Sequence, residues 1–182
     1  MMNFDEIRMT VEEFLRFEGE PDQRYELVDG RPRPVPLGTG EHGTLLGTCG
    51  AEIDRRIEGR ARCRVQLVSG IRVSDHAFYP ADVVLTCNPR PRSPITREPL
   101  LIVEVLSPST RADDKGRKLD DYKSLESVAE IWLVDSERRA VQVWWREPDG
   151  WSGRDFVGAS SFESRVLADR IALDRLYRNT GL

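Results

Sequence analysis

Seven residues, Leu100 to Leu106, form a run that is apolar throughout except at Glu104. A run that short, rich in Leu, Val and Ile, predicts a β-strand covered on both faces. An unpaired carboxylate inside such a strand is costly, so a cation, a set of hydrogen-bond donors or a proton has to compensate it. Side chains alternate along a strand, which places Glu104 on the face of Ile102 and Leu106, with Val103 and Val105 on the other. Ser107-Pro108 ends the strand, because Pro108 has no N–H for a ladder and disfavours helix at Ser107. The acid therefore stands near the C-terminal end of a buried strand, where ligands collect in open α/β sheets.

The rest of the chain must cover that strand, and its 182 residues, 39% hydrophobic and 32% charged, suit one domain spanning 1–182 with an ordinary core. No stretch approaches the roughly 20 apolar residues of a membrane span, and the acidic N-terminus lacks the pattern of a signal or transit peptide. No membrane association is expected, and the cytoplasm is the default location. Cys49, Cys63 and Cys87 show no CxxC spacing and are expected to be reduced thiols. The net charge of −4 carries no overall signature of nucleic-acid binding. Arginines gather at Arg55, Arg56, Arg60, Arg62 and Arg64 and at Arg138 and Arg139; an ion-paired surface is favoured over a phosphate-contacting stripe.

Along the chain, Thr10-Val11-Glu12-Glu13 matches a capping box for a short helix. Asp29-Gly30 marks a hairpin turn, so Glu26 lies on the strand entering it, while Pro32, Pro34 and Pro36 make the return strand an edge. From Glu41 to Glu58 the apolar residues recur at helical spacing, with His42 on the same face at the N-terminal end. A capping or core-edge role is favoured for that histidine over a catalytic one. Strands are predicted over Arg62 to Val73 and Phe78 to Cys87, the second carrying Asp82 just before Val83-Val84-Leu85. The loop from Asn88 to Glu98 then leads back to the Glu104 strand, and strands joined in this way usually pair. Thr110 can cap a helix reaching about Ser127, with Asp113 and Asp114 in its first turn. At 100° per residue, Lys115 and Lys118 fall inside the apolar arc of Ala112, Leu119, Tyr122 and Leu125. Snorkelling at the edge of the stripe explains such lysines as well as a functional role does. Ile131 to Asp135 and Val141 to Trp145 read as paired strands, with Trp144 and Trp145 facing opposite ways, one of them core. Phe162 to Tyr177 closes the core as a short strand or helix.

Asp82, Glu104 and Lys118 together have the composition of a metal-dependent phosphodiesterase site. Two carboxylates on adjacent strands suit Mg²⁺, and an ammonium beside them stabilises the anion that forms. At these residues the sequence resembles the Uma-type family of restriction endonucleases, a branch of the PD-(D/E)XK nuclease superfamily. The resemblance rests on the combination of YELVDG, VEVLSPST and K…Y…EIWLVD, and it runs over almost the whole chain. It implies an α/β, restriction-endonuclease-like fold, a central mixed β-sheet flanked by α-helices. It also implies that Asp82 and Glu104 bind the metal with help from the Val105 carbonyl and that Glu26 completes the acidic cluster; His42 is kept beside them as an accessory candidate. In this family the lysine has moved from the position two after the acid, here Leu106, to the following helix, where Lys118 matches. Two departures stand out. The usual Pro-Asp is Pro80-Ala81-Asp82 here, which puts the aspartate's register in question, and Asn88 occupies a position where aspartate is common.

The function implied is a Mg²⁺-dependent endonuclease, with Mn²⁺ as a substitute, cutting phosphodiester bonds of DNA as a homodimer. A second reading is a nuclease fold without turnover, acting as a nucleic-acid-binding or assembly module. A third makes Glu104 and Lys118 a buried ion pair that ties helix to sheet.

Overall fold

A computed structural model describes residues 8–88, 93–108 and 115–182. Its centre is an eight-stranded mixed sheet in the order β2-β1-β4-β5-β6-β7-β8, with β3 paired to β4. The strands are β1 (Arg24–Val28), β2 (Arg31–Val35), β3 (Arg64–Ser74), β4 (Ala77–Thr86), β5 (Pro99–Leu106), β6 (Glu130–Asp135), β7 (Ala140–Glu147) and β8 (Gly150–Val157). A separate hairpin joins β9 (Ser161–Ser164) to β10 (Asp169–Ala172). The helices are α1 (Val11–Phe14), α2 (Gly40–Arg56), α3 (Arg117–Ser124) and α4 (Leu173–Leu176).

Strands β5 and β6 run parallel, and the crossover between them contains α3. The loop from β4 to β5 instead joins an antiparallel pair, Val83↔Val103 to Leu85↔Leu101. At the β1–β2 turn, Asp29 and Gly30 take φ of 50° and 75°, the left-handed pair that a tight hairpin with the strands' own twist requires. The proline-bearing β2 lies at the edge of the sheet, where missing N–H donors leave no ladder unsatisfied.

Alternation along β5 sorts its side chains between two cores. Val103 and Val105 pack with Leu45, Cys49 and Ile53 of α2 and with Leu173 and Leu176 of α4. Ile102 and Leu106 face the other way, onto Leu119 and Tyr122 of α3. Trp144 and Trp145 do lie on opposite faces, but both are half-buried and neither belongs to the fully buried core.

Several expectations are corrected. Cys63 and Cys87 form a disulfide, because they lie one step beyond the Arg64↔Thr86 pair of β3 and β4. Cys49 is the free thiol among the described residues, and burial pushes its pKa up to about 12. Lys115 is exposed, whereas Lys118 turns inward. The proposed cap Thr110 and the acidic pair Asp113 and Asp114 fall outside the described residues. The favoured ion pairing of the arginine clusters, by contrast, is seen: Arg56 reaches Glu52 and Asp169, Arg60 donates to the carbonyls of Val166 and Leu167, Arg138 meets Asp135, and Arg139 meets Asp174. The tail holds both a strand pair and a helical turn, and β8 had no counterpart in the sequence reading.

Candidate active site

At the C-terminal end of β5 the structure opens a cleft of about 230 Å³ lined by His42, Asp82, Glu104, Val105, Ser107 and Lys118 among others. Glu104 is 3% exposed. Its Oε1 accepts a 2.6 Å hydrogen bond from the Tyr122 hydroxyl and lies 3.4 Å from Lys118 Nζ. Lys118 and Tyr122 are four residues apart, so one face of α3 delivers both. The ammonium also lies 3.8 Å from Glu26 Oε2, which β1 supplies, and 5.6 Å from the centre of the Tyr79 ring. Tyr79 is fixed in turn by its hydrogen bond to Asp121 and an edge-on contact with Tyr122. Burial pushes the Tyr79 hydroxyl's pKa up, which keeps it a donor to that carboxylate.

Asp82 sits where β4 loses its alternation. Ala81 and Val84 both pack on the α3 side of the sheet, while Val83 and Leu85 pack on the α2 side. One residue of slip is therefore absorbed at Asp82. Across the β3–β4 ladder, Leu67↔Val83 and Ser69↔Ala81 are paired, and Val68 between them takes a φ of 48°. A β-branched residue in the left-handed region is an outlier, and local strain of this kind gathers at functional sites. The slip does not carry the aspartate away from the cleft. The next residues along, Val83 and Val103, are cross-strand partners, and Asp82 Oδ2 accepts a 2.8 Å hydrogen bond from the Val105 N–H. His42 Nε2 lies 3.2 Å from the same oxygen.

The structure thus brings Glu26, Asp82, Glu104 and Lys118 to one neighbourhood and adds His42 to it. Of the two roles favoured for His42, capping and a core-edge position, the cap is corrected: Thr39 is the N-cap of α2 and its hydroxyl accepts from the His42 N–H at 3.3 Å. Tyr122 and Tyr79 were missed. Tyr122 passes for an apolar position, and its spacing of four from Lys118 is the signal that could have marked it.

Among the described residues, no three His, Cys, Asp or Glu side chains gather into a ligand cage. Mg²⁺ needs less, since it is bound through one or two carboxylates and keeps several waters. Asp82 and Glu104 supply two hard carboxylates, and the Val105 carbonyl leaves the strand on the same edge as the N–H that meets Asp82. This donor set fits Mg²⁺.

A family model described as Uma2, "Putative restriction endonuclease", matches residues 11–173. The chain belongs to the Uma2 family. Its relatives include an uncharacterized Synechocystis sp. protein, 25% identical over 180 residues that cover 94% of this chain and 92% of the relative. A second uncharacterized Synechocystis protein is 27% identical over 135 residues, covering 70% of this chain and 75% of its own. The fold resembles the crystal structure of a "putative nuclease belonging to DUF820" from Anabaena variabilis, with a TM-score of 0.76 at 19% identity, covering 93% of this chain and 97% of that one. Uma2 membership and this likeness establish a restriction-type nuclease fold.

Proposed function

We propose that this Uma2 protein is a Mg²⁺-dependent endonuclease that hydrolyses phosphodiester bonds of DNA, with Mn²⁺ able to replace Mg²⁺. The observation that supports it is the convergence of Asp82, Glu104 and Lys118 on one cleft at the end of paired strands. Asp82, Glu104 and the Val105 carbonyl would hold the ion. When bound, Mg²⁺ supplies charge neutralisation at phosphate oxygens and a more acidic water. Lys118 presents its ammonium to the anion that builds up on phosphorus, and Tyr79 and Glu26 hold it in place. Tyr122 fixes one oxygen of Glu104, so the carboxylate does not have to be ordered when substrate arrives.

Cutting both strands of a duplex takes two such sites, and a homodimer belongs to this reading. So does a cytoplasmic site of action. Among the described residues no helix is long and apolar enough to cross a membrane.

The test is cleavage of plasmid and oligonucleotide DNA with Mg²⁺, with Mn²⁺ and with chelator. Metal-dependent cleavage that disappears in both Glu104→Ala and Lys118→Ala is the expected result. Equal cleavage by wild type and either variant would sink the mechanism.

One observation favours a second reading, a nuclease fold that binds or assembles without turnover. Glu104 is already met by Tyr122 and Lys118, as a purely structural ion pair would be. Calorimetric titration with Mn²⁺ separates the two, since that module gives no isotherm and the nuclease gives one that Glu104→Ala removes.

A further inference from the structure

The geometry points to His42 as a positioning residue that aims the Asp82 carboxylate at the metal ion, an inference that rests on the nuclease reading above. At the slip in β4 the regular ladder passes over Asp82: its neighbours Ala81 and Val83 are paired, and it is not. Strand pairing therefore leaves the direction of this carboxylate open, and side-chain contacts must set it. Two groups do so, and both meet Oδ2: the Val105 N–H at 2.8 Å and His42 Nε2 at 3.2 Å. With one oxygen held from two sides, the other is the one left to take the ion. Partners of this kind orient metal ligands and are worth roughly 10–100-fold in metal affinity.

The surroundings of His42 are built for this task. Its backbone N–H is taken up by the Thr39 cap, so the imidazole is not needed to start the helix. The ring lies against Gly38, where a β-carbon would stand 2.6 Å from Nδ1 and 2.8 Å from Cγ. Any larger residue at 38 would push the imidazole from its place. His42 and Asp82 side chains are 19% and 15% exposed, so the contact sits at the cleft wall rather than in the core.

The experiment is Mn²⁺ titration calorimetry on the full chain, with thermal melts of each variant. His42→Ala should weaken Mn²⁺ binding about 10–100-fold without lowering the melting temperature appreciably. His42→Gln, whose amide can donate from nearly the same point as Nε2, should recover most of the affinity. Gly38→Ala should reproduce the loss with the histidine still present, and it covers the case of a His42→Ala chain that does not fold. Wild-type affinity in both His42→Ala and Gly38→Ala, or a loss in His42→Gln equal to that in His42→Ala, overturns the assignment while leaving the nuclease reading intact. A wild-type chain that takes up no Mn²⁺ overturns both.

Discussion

The two ends of the sheet each bury an acid on a strand of the parallel pair, and they treat it in opposite ways. Glu104, near the C-terminal end of β5, meets a tyrosine and a lysine at the wall of an open cleft. Glu130 opens β6 at the other end, opposite Leu101, and is 0% exposed. Its donors close in from all sides: the Trp132 indole N–H, the Ser164 hydroxyl, and the N–H groups of Arg165 and Val166. These tie the β9–β10 hairpin to the sheet. The same end carries the Cys63–Cys87 disulfide and the contacts to the hairpin from Arg56, the last residue of α2, and from Arg60 in the loop that follows it. The opposite end of α2 carries His42, and there the protein keeps a strained Val68 and the part-exposed polar groups of the cleft. A buried acid is therefore not by itself a sign of chemistry. What separates the two is whether neutral donors saturate it or a cation and a cleft wait beside it.

The largest effects should fall at the open end and appear in activity. Lys118→Ala is expected to cost on the order of 10²–10³-fold in single-turnover cleavage per folded molecule, the scale of losing one transition-state donor. Glu130→Ala should do the reverse. It strands four donors in the interior and is expected to cost about 3 kcal/mol in urea denaturation, with cleavage per folded molecule unchanged. A Glu130 variant that folds normally and fails to cut would break the comparison.

Glu130 also gives the comparison a pH axis. Burial pushes its carboxyl above the ordinary 4.5, against the pull of its four donors. The folded chain thus holds this proton more tightly than the unfolded chain does. Its contribution to stability is complete below the unfolded value and is lost as pH rises through the raised one. Urea midpoints of wild type and Glu130→Gln measured from about pH 4 to about pH 7 should show the wild type losing ground to the variant. A pH-independent difference would mean that the proton is not taken up on folding.

Much of this was legible in the chain because the signals were local. The β5 run, the Asp29-Gly30 turn and the helical period of α2 each specify their own element, and alternation alone puts Glu104 with Ile102 and Leu106. Glu130 escaped notice although it too sits in an apolar run, Val128 to Val134. Its closing donors arrive from Ser164, Arg165 and Val166, and no local pattern reports them. The disulfide needed the β3–β4 register, and β8, with two glycines and no clear alternation, is a strand because β7 pairs with it. The capping half of the reading for His42 fails because the true cap, Thr39, stands in a stretch whose glycines obscure the helix start.

The disulfide sharpens the contrast without touching the cleft. Residues 63 and 87 are 24 apart, and closing a loop of that size restricts the unfolded chain by about 3 kcal/mol. Cys63→Ser or reduction with dithiothreitol should lower the urea midpoint accordingly and leave Mn²⁺ affinity unchanged. Cleavage that vanished on reduction, in a chain still folded, would show that the two ends are coupled.

The smallest effect tests the strain at the open end. Val68 holds a φ of 48° opposite Asp82, and the left-handed region costs a β-branched residue about 1–2 kcal/mol. The residue is 43% exposed, so replacing its side chain gives up little burial. Val68→Gly should therefore raise stability by about 1 kcal/mol in urea denaturation. If the strained turn also helps to hold Asp82 at the slip in β4, the same variant will bind Mn²⁺ more weakly while folding more stably. A gain in stability with affinity unchanged would assign the strain to the chain's path alone and leave the aiming of Asp82 to Val105 and His42.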